Sequence, residues 1–227
     1  MRRTLAFGLV PLCALFAGAA SAPPASAGER DWVLHERDES PSRGYSVYRR
    51  QQPGEDFSTW RLETRLAEPP ELVESVTLAN LLEGRRVPAD RRQRLLRREG
   101  DVFWVHTEID VPVAADRDVV LRIERRRDPA TRALRIEWRA EPSAGPAPAE
   151  GVVRMEISNG FWHFEPAPGG GTRAIYESYA EPGGPFPKWL VDSMSSGQVR
   201  EGLEQLRGSL AEAADELPPV ASKSVGG

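Results

Sequence analysis

The sequence predicts an α+β protein in which a run of antiparallel strands is followed by one long C-terminal helix. Between Trp60 and Tyr179, several short segments alternate apolar and polar residues, which is the period of a half-buried strand. Glycine and proline separate these segments at the short spacing that is typical of antiparallel neighbours. From Pro187 to about Leu217 the apolar residues instead recur at helical spacing.

Residues 1–27 are predicted to form a cleavable signal peptide. Arg2 and Arg3 precede an apolar run from Leu5 to Ala20, and Ala25-Ser26-Ala27 is an A-x-A cleavage signal. We expect cleavage after Ala27 and a periplasmic or secreted protein. The remaining chain, about 200 residues, is long enough for one domain with a single core. We assign that domain to residues 28–217 and expect residues 218–227 to form a disordered tail.

Composition argues against several classes of function. Removal of Arg2 and Arg3 takes the formal charge from −4 to −6, and this mildly acidic balance argues against nucleic acid as a partner. The single cysteine, Cys13, lies in the predicted signal peptide, so the mature chain offers no disulfide or thiol chemistry. The sequence has no G-x-S-x-G nucleophile motif. It also marks no cofactor and no metal, and we expect none.

The first half of the chain is predicted to contain three strands and two helices. The strand segments are Trp32–Leu34, Gly44–Arg50 and Trp60–Leu66. Pro69-Pro70-Glu71 is a good helix start, because proline fits the first turn and a carboxylate stabilises the positive end of the helix dipole. The expected apolar face of this helix comprises Leu72, Val76, Ala79 and Leu82. Gly84 ends it, and a very basic second helix is predicted from Pro88 to Arg98.

The second half is predicted to contain the remaining strands and the C-terminal helix. The strand segments are Val102–Val111, Val119–Ile123, Leu134–Trp138, Val153–Ile157, Phe161–Glu165 and Ala174–Tyr179. The helix residues expected to face the core are Leu190, Met194, Val199, Leu203, Leu206 and Leu210.

Several short motifs occur in a defined order along the chain. They are Asp31-Trp32, Arg117-Asp118, Gly160-Phe161-Trp162, Tyr176 and Pro187-Lys188-Trp189-Leu190. In that order they resemble the START (StAR-related lipid-transfer) domains of the Bet v 1-like helix-grip superfamily, over roughly residues 31–210. The resemblance implies a helix-grip fold, in which a curved antiparallel β-sheet wraps around a long C-terminal α-helix and leaves an internal apolar cavity.

The same resemblance implies a carrier, expected to be a monomer, for a hydrophobic small molecule such as a lipid. The ligand-binding residues that it suggests are Trp104, His106, Glu108, Arg117, Val119, Leu121, Ile123, Ile136, Trp138, Met155, Trp162, Tyr176, Trp189 and Met194. From their alternation alone, the apolar members of this set fit a filled core equally well. Glu108 matches an acid that some members place in the cavity, but Ile123 stands where their arginine is expected, so the ligand's identity stays open.

Two other functions use the same residues. Some helix-grip proteins are polyketide cyclases or hydratases, and Glu108 with His106 would be the acid and base of such an enzyme. His106 and Glu108 could also join His163 and Glu165 at a metal, although nothing in the sequence shows that the four converge. A third possibility, beside a carrier and an enzyme, is an interaction module with a filled core and no cavity.

Two charged features have two interpretations each. Arg117-Asp118 could recognise an anionic ligand or form a structural ion pair at the start of a strand. The arginine-rich segment Arg85–Arg98 could contact an anionic membrane surface near the cavity entrance, or could be a solvated face.

Overall fold

The computed structural model describes residues 31–40, 43–84, 89–112 and 114–216. The described residues form one compact unit. The predicted signal peptide (1–27), part of the basic segment (85–88) and the predicted tail (218–227) lie outside the described residues.

The described residues form one open antiparallel sheet of ten strands. The strands are β1 (Val33–Asp38), β2 (Tyr45–Arg50), β3 (Thr59–Leu66), β4 (Arg91–Glu99), β5 (Val102–Ile109), β6 (Arg117–Arg127), β7 (Leu134–Ala140), β8 (Val153–Arg154), β9 (Ile157–Pro166) and β10 (Thr172–Glu181). Their order is β1-β2-β3-β10-β9-β7-β6-β5-β4, and the two-residue β8 pairs with β6 in the parallel sense. Two helices, α1 (Pro70–Glu83) and α2 (Lys188–Glu216), pack against one face, which we call the inner face. The predicted α+β helix-grip arrangement is thereby confirmed.

Helix α1 begins and ends where the sequence predicts, but it buries a different face. Pro70 occupies its first turn, and Gly84 caps its C-terminus with φ of 64°, a left-handed conformation that glycine adopts without strain. Its buried residues are Pro70, Val73, Glu74 and Thr77, whereas Leu72, Val76 and Leu82 are only partly buried. The difference arises because the buried Glu74 carboxylate pairs with Arg125 of β6, a contact that hydrophobic spacing cannot reveal.

The predicted basic helix at Pro88–Arg98 is wrong, because its described part forms strand β4. Arginine has good intrinsic helix propensity, and the run Arg91–Glu99 lacks the β-branched residues typical of strands. Pairing with β5 overrides that local preference along the whole segment, from Arg91 opposite Ile109 to Glu99 opposite Val102. Tertiary pairing rather than propensity therefore decides this element.

Helix α2 crosses the inner face and closes the core. Its buried apolar residues from Val199 onward, Leu203, Leu206 and Leu210 among them, are those predicted from helical spacing, and Ser209 is buried beside them. The first turns differ, since Met194 is 42% exposed and Val191 is buried instead. Neither helix of the described chain is both long and apolar enough to cross a membrane.

Candidate functional site

A pocket of about 280 Å³ lies on the inner face of the sheet, between α1, α2 and the strands. We call it the inner pocket. Its walls come from α1, β4, β5, β6, β7, β9, β10 and α2, with Met155 from the segment after β8. The side chains that line it include Thr77, Asn80, Leu81, Arg91, Gln93, Thr107, Ile109, Gln198, Val199, Glu201, Gln205 and Leu206.

Seven of the residues predicted to bind a ligand line the inner pocket. They are Val119, Leu121, Ile123, Trp138, Met155, Trp162 and Tyr176. Ile136 lies on the same face but is fully buried in the core cluster. The alternation of β6 and β9 brings these side chains together, because every second residue of a strand points to the same face.

Trp104, His106 and Glu108 lie on the opposite face of the sheet, which we call the outer face. Across the β5–β6 pair, Thr107 is opposite Val119 and His106 is opposite Val120. Directly opposite residues of an antiparallel pair share a face, so Thr107 shares the pocket side with Val119 while His106 does not. A shift of one residue exchanges the two faces of a strand. The sequence predicts that Trp104, His106 and Glu108 form the pocket face of β5, whereas in the structure they form its outer face.

The outward side chains of β5 have partners of their own. The guanidinium carbon of Arg97 lies 3.8 Å from the centroid of the Trp104 ring. Glu108 is 48% exposed and accepts a hydrogen bond from Arg92 at 3.0 Å. The predicted pairing of His106 with Glu108 is therefore not formed, and a cavity enzyme that uses these two groups loses the geometry on which it depended.

His106 belongs instead to a buried network centred on Asp118. His106 Nε2 lies 2.9 Å from Asp118 Oδ2, and Arg154 donates to both carboxylate oxygens at 2.7 Å. Arg154 also donates to the carbonyl oxygens of Pro142 and Pro146, each at 2.8 Å. Burial would raise the pKa of Asp118, but the hydrogen bonds from Arg154 and His106 hold it below its ordinary value. The network joins β5, β6, β8 and the segment before β8, so its role is structural.

Arg117 does not form the predicted ion pair with its neighbour. Its guanidinium donates to the backbone carbonyl oxygens of Pro182 at 3.2 Å, Gly183 at 3.1 Å and Ala115. It also lies over the Phe186 ring, 4.3 Å from the centroid. Arg117 is 4% exposed, and it fixes the loop between β10 and α2, which we call the β10–α2 loop, rather than lining the inner pocket.

Two further predicted residues, Trp189 and Met194, lie on the exposed side of α2. Trp189 is 71% exposed and Met194 is 42% exposed, and neither lines the inner pocket. In the first turns of α2, Trp189 and Met194 therefore face solvent, while Val191 is the buried apolar residue.

The aromatic wall of the inner pocket depends on Gly160. The Tyr176 ring lies 4.8 Å from that of Trp162 and 5.6 Å from that of Trp138. Gly160 is paired with Trp138 across β7 and β9, and a Cβ at this position would lie 2.4 Å from Cζ2 of the indole. Trp138 therefore occupies space that only glycine leaves free.

The inner pocket also carries polar groups that the sequence did not reveal. Thr107 is 7% exposed, and its Oγ1 has no hydrogen-bond partner in the part of the chain that the structure describes. The buried Nε of Arg91 likewise has none. Burial raises the pKa of the Tyr176 phenol, although a hydrogen bond with Ser178 and the positive charge of Arg91 oppose the effect. The sequence does not predict Arg91 and Gln93 as pocket residues, because it favours a helix where β4 forms. It does not predict Thr107, because the register of β5 cannot be read from the sequence.

A second concavity, of about 340 Å³, lies on the outer face and is polar in character. It is lined by ion-paired side chains, among them Arg122, Glu124 and Arg126. Hydrogen bonds from Arg126 and Arg122 lower the pKa of Glu124 to about 2. Because charged, ion-paired side chains make up much of its lining, this surface does not suit an apolar ligand. Within the described part of the chain, no three His, Cys, Asp or Glu side chains group as a metal site.

Comparisons with known proteins define the class to which this fold belongs. No protein-family model matches the chain. An uncharacterized protein of Pseudomonas aeruginosa is 27% identical over 178 residues, which is 78% of this chain and 85% of the relative. The structure of a STAR-related lipid transfer protein fragment from Xanthomonas axonopodis is 25% identical, with a TM-score of 0.69 over 80% of this chain and 99% of that one.

Two human structures extend the likeness at lower identity. Human STARD10 gives a TM-score of 0.68 at 14% identity, over 82% of this chain and 75% of that one. Human StAR-related lipid transfer protein 5 gives a TM-score of 0.65 at 18% identity, over 84% of this chain and 90% of that one. The protein has a START-like helix-grip fold, and the resemblance drawn from the sequence motifs is confirmed.

Proposed function

We propose that the protein binds a hydrophobic small molecule, a lipid or lipid-like amphiphile, in the inner pocket and carries it through water. The observation that carries the proposal is the pocket itself, which lies under α2 on the inner face of a START-like sheet. Val119, Leu121 and Ile123 form one apolar wall of it. Apolar burial contributes about 0.8 kcal/mol per methylene, so a short alkyl chain gains useful affinity without any specific polar contact.

The first test is native mass spectrometry of the protein as purified, combined with uptake of the neutral probe N-phenylnaphthylamine, whose fluorescence rises in apolar surroundings. The proposal predicts a stoichiometric apolar adduct, or saturable uptake of the probe by adduct-free protein. A clean apo mass together with no probe uptake would contradict it and favour a filled-core interaction module.

A matched pair of variants assigns any uptake to the inner pocket. Leu121→Trp should fill part of the pocket and weaken uptake at least severalfold, because the added ring competes with the probe for a small volume. Arg126→Trp places the same side chain on the same strand but at an exposed outward position, and should leave uptake unchanged. Equal loss in both variants would place the probe elsewhere.

The proposal includes export, since a carrier of apolar molecules is useful in an aqueous compartment between membranes. The sequence features that support it are those of residues 1–27. N-terminal sequencing of the protein from its native host tests the point, with Gly28 as the expected first residue. An intact Met1 would contradict it.

Transient contact with an anionic membrane through β4 is a further part of the proposal. Arg94 is exposed on the outer face of this edge strand, whereas Arg92 is paired with Glu108 and Asp110. Near an anionic surface each free basic residue contributes about 1 kcal/mol. Co-sedimentation with vesicles of phosphatidylglycerol and phosphatidylcholine should therefore fall with added salt and with Arg94→Glu. Salt-independent sedimentation would argue against this contact.

A further inference from the structure

Two donors on the wall of the inner pocket have no hydrogen-bond partner among the described residues. Thr107 Oγ1 belongs to a side chain that is only 7% exposed. Arg91 Nε is buried, and its ion-pair contact is with Asp90 Oδ1 at 3.9 Å, beyond hydrogen-bond distance. Buried polar groups are paired in most proteins, because an unpaired one costs about 1–3 kcal/mol. Two such donors on one pocket wall are what a site for an acceptor group requires.

The register of β4 and β5 brings these two donors together. Arg91 is opposite Ile109, and Gln93 is opposite Thr107. Arg91 and Thr107 are thus diagonal neighbours on the inner face, at a spacing of about 7–8 Å that a long side chain spans. A single head group can accept hydrogen bonds from both.

The charge of the pocket wall selects the sign of that head group. Among the described residues that line the inner pocket, Arg91 is the one cation and Glu201 the one anion. Glu201 is on the exposed side of α2, whereas Arg91 is partly buried on the sheet. A guanidinium offers donors only, and it matches carboxylate and phosphate oxygens better than a neutral hydroxyl, which leaves the charge unpaired.

The volume of the pocket limits the size of the ligand. A volume of about 280 Å³ is at the small end of the range of about 300–1,000 Å³ that is usual for small-molecule sites. A single alkyl chain of medium length fits this limit, whereas a lipid with two long chains exceeds it.

We propose that the inner pocket selects single-chain amphiphiles with an anionic, acceptor-only head group, a carboxylate or a phosphate monoester, bound by Arg91 and Thr107. The alkyl chain lies along Val119, Leu121 and Ile123. This inference rests on the proposed function and adds the class of ligand to it.

The experiment measures displacement of N-phenylnaphthylamine from the full-length mature protein by three ligands of equal chain length. They are decanoate, decyl phosphate and decanol. The probe is neutral, so its own binding does not require Arg91. At least one of the two anions should displace it at a concentration about tenfold or more below that of decanol. Comparison of the two anions distinguishes a carboxylate from a phosphate source.

Three variants test the residues. Arg91→Met should weaken binding of the preferred anion by about ten- to a hundredfold and leave decanol unchanged. Thr107→Val keeps the shape of the side chain, and should weaken the anion severalfold. Arg94→Met is the matched control, since it makes the same substitution on the same strand at an exposed outward position.

The outcomes separate this inference from the proposed function. If the wild-type protein takes up no probe, the proposed function fails. If it takes up the probe but decanol binds as well as both anions, or Arg91→Met behaves like Arg94→Met, only the selection of an anionic head group is overturned. The head-group comparison in the wild-type protein needs no variant, and Arg91→Gln replaces Arg91→Met if the latter does not fold.

Discussion

Replacement of Asp118 by asparagine is expected to destabilise the folded protein strongly. Asp118 is 2% exposed, and its carboxylate accepts two hydrogen bonds from Arg154 at 2.7 Å and contacts His106 at 2.9 Å. Asparagine keeps the shape but removes the charge, which leaves the Arg154 guanidinium, whose side chain is 11% exposed, without its counter-ion. Loss of one partner of a buried pair costs about 3–5 kcal/mol.

The assay is equilibrium unfolding in urea and by heat, followed by circular dichroism. For a domain of this size, 1 kcal/mol lowers Tm by about 2–4 °C, so Asp118→Asn should lower Tm by about 6–20 °C. The double variant Asp118→Asn with Arg154→Met should lose less than the sum of the two single losses, because no uncompensated charge is left. Asp110→Asn, which breaks an exposed pair with Arg92, is the control and should leave Tm unchanged.

The pH dependence has a definite sign. The pKa of Asp118 is below its ordinary value of 3.8 in the folded protein, so the native state holds this carboxylate in its charged form more firmly than the unfolded state does. The stabilisation is fully present above pH 3.8 and is lost as the pH falls through the lower, folded pKa. The difference in stability between wild type and Asp118→Asn should therefore shrink as the pH falls below 3.8. A loss below 1 kcal/mol, or additive single and double variants, would refute the network as described.

Three further perturbations follow from contacts in the fold. Gly160→Ala places a Cβ 2.4 Å from Cζ2 of Trp138, so it should cost about 1–3 kcal/mol in urea unfolding and reduce probe uptake; an unchanged stability would contradict the close approach. Arg125→Met should destabilise more than Glu74→Gln, because Glu74 is 1% exposed while Arg125 is 38% exposed and water can still reach it; the reverse order in thermal unfolding would be inconsistent with that burial. Arg117→Lys should speed hydrogen exchange in the β10–α2 loop and little elsewhere, and uniform exchange would mean that the loop is fixed by other contacts.

Much of the architecture could be predicted because it follows from alternation and periodicity. Val119, Leu121 and Ile123 were assigned to one face of a strand, and all three line the inner pocket. Leu203 and Leu206 were assigned to the buried face of the last helix, and both are buried. These signals are local and survive in a single sequence, since each depends on residues two to four positions apart.

The errors concern relations between distant segments. The face of β5 that meets the pocket depends on which β6 residue lies opposite Thr107, and no local signal gives that register. The partner of Asp118 is Arg154, 36 residues away, rather than the adjacent Arg117. The strand β4 forms because it pairs with β5, not because its own residues favour a strand. Its sequence therefore gave no indication that Arg91 lines the inner pocket.

Within the described ranges of the chain, strand β4 ends the sheet, and no strand pairs with its free side. Such an edge is a template for aggregation unless charge or shape blocks it. Here Arg92 and Arg94 project from the outer face of the strand. A second copy that approached this edge would carry the same arginines, and the like charges would repel each other. Alternate residues of this nine-residue strand thus line the inner pocket on one side and face solvent on the other. Apolar substitution of the outward arginines would leave the pocket intact but make this edge prone to aggregation.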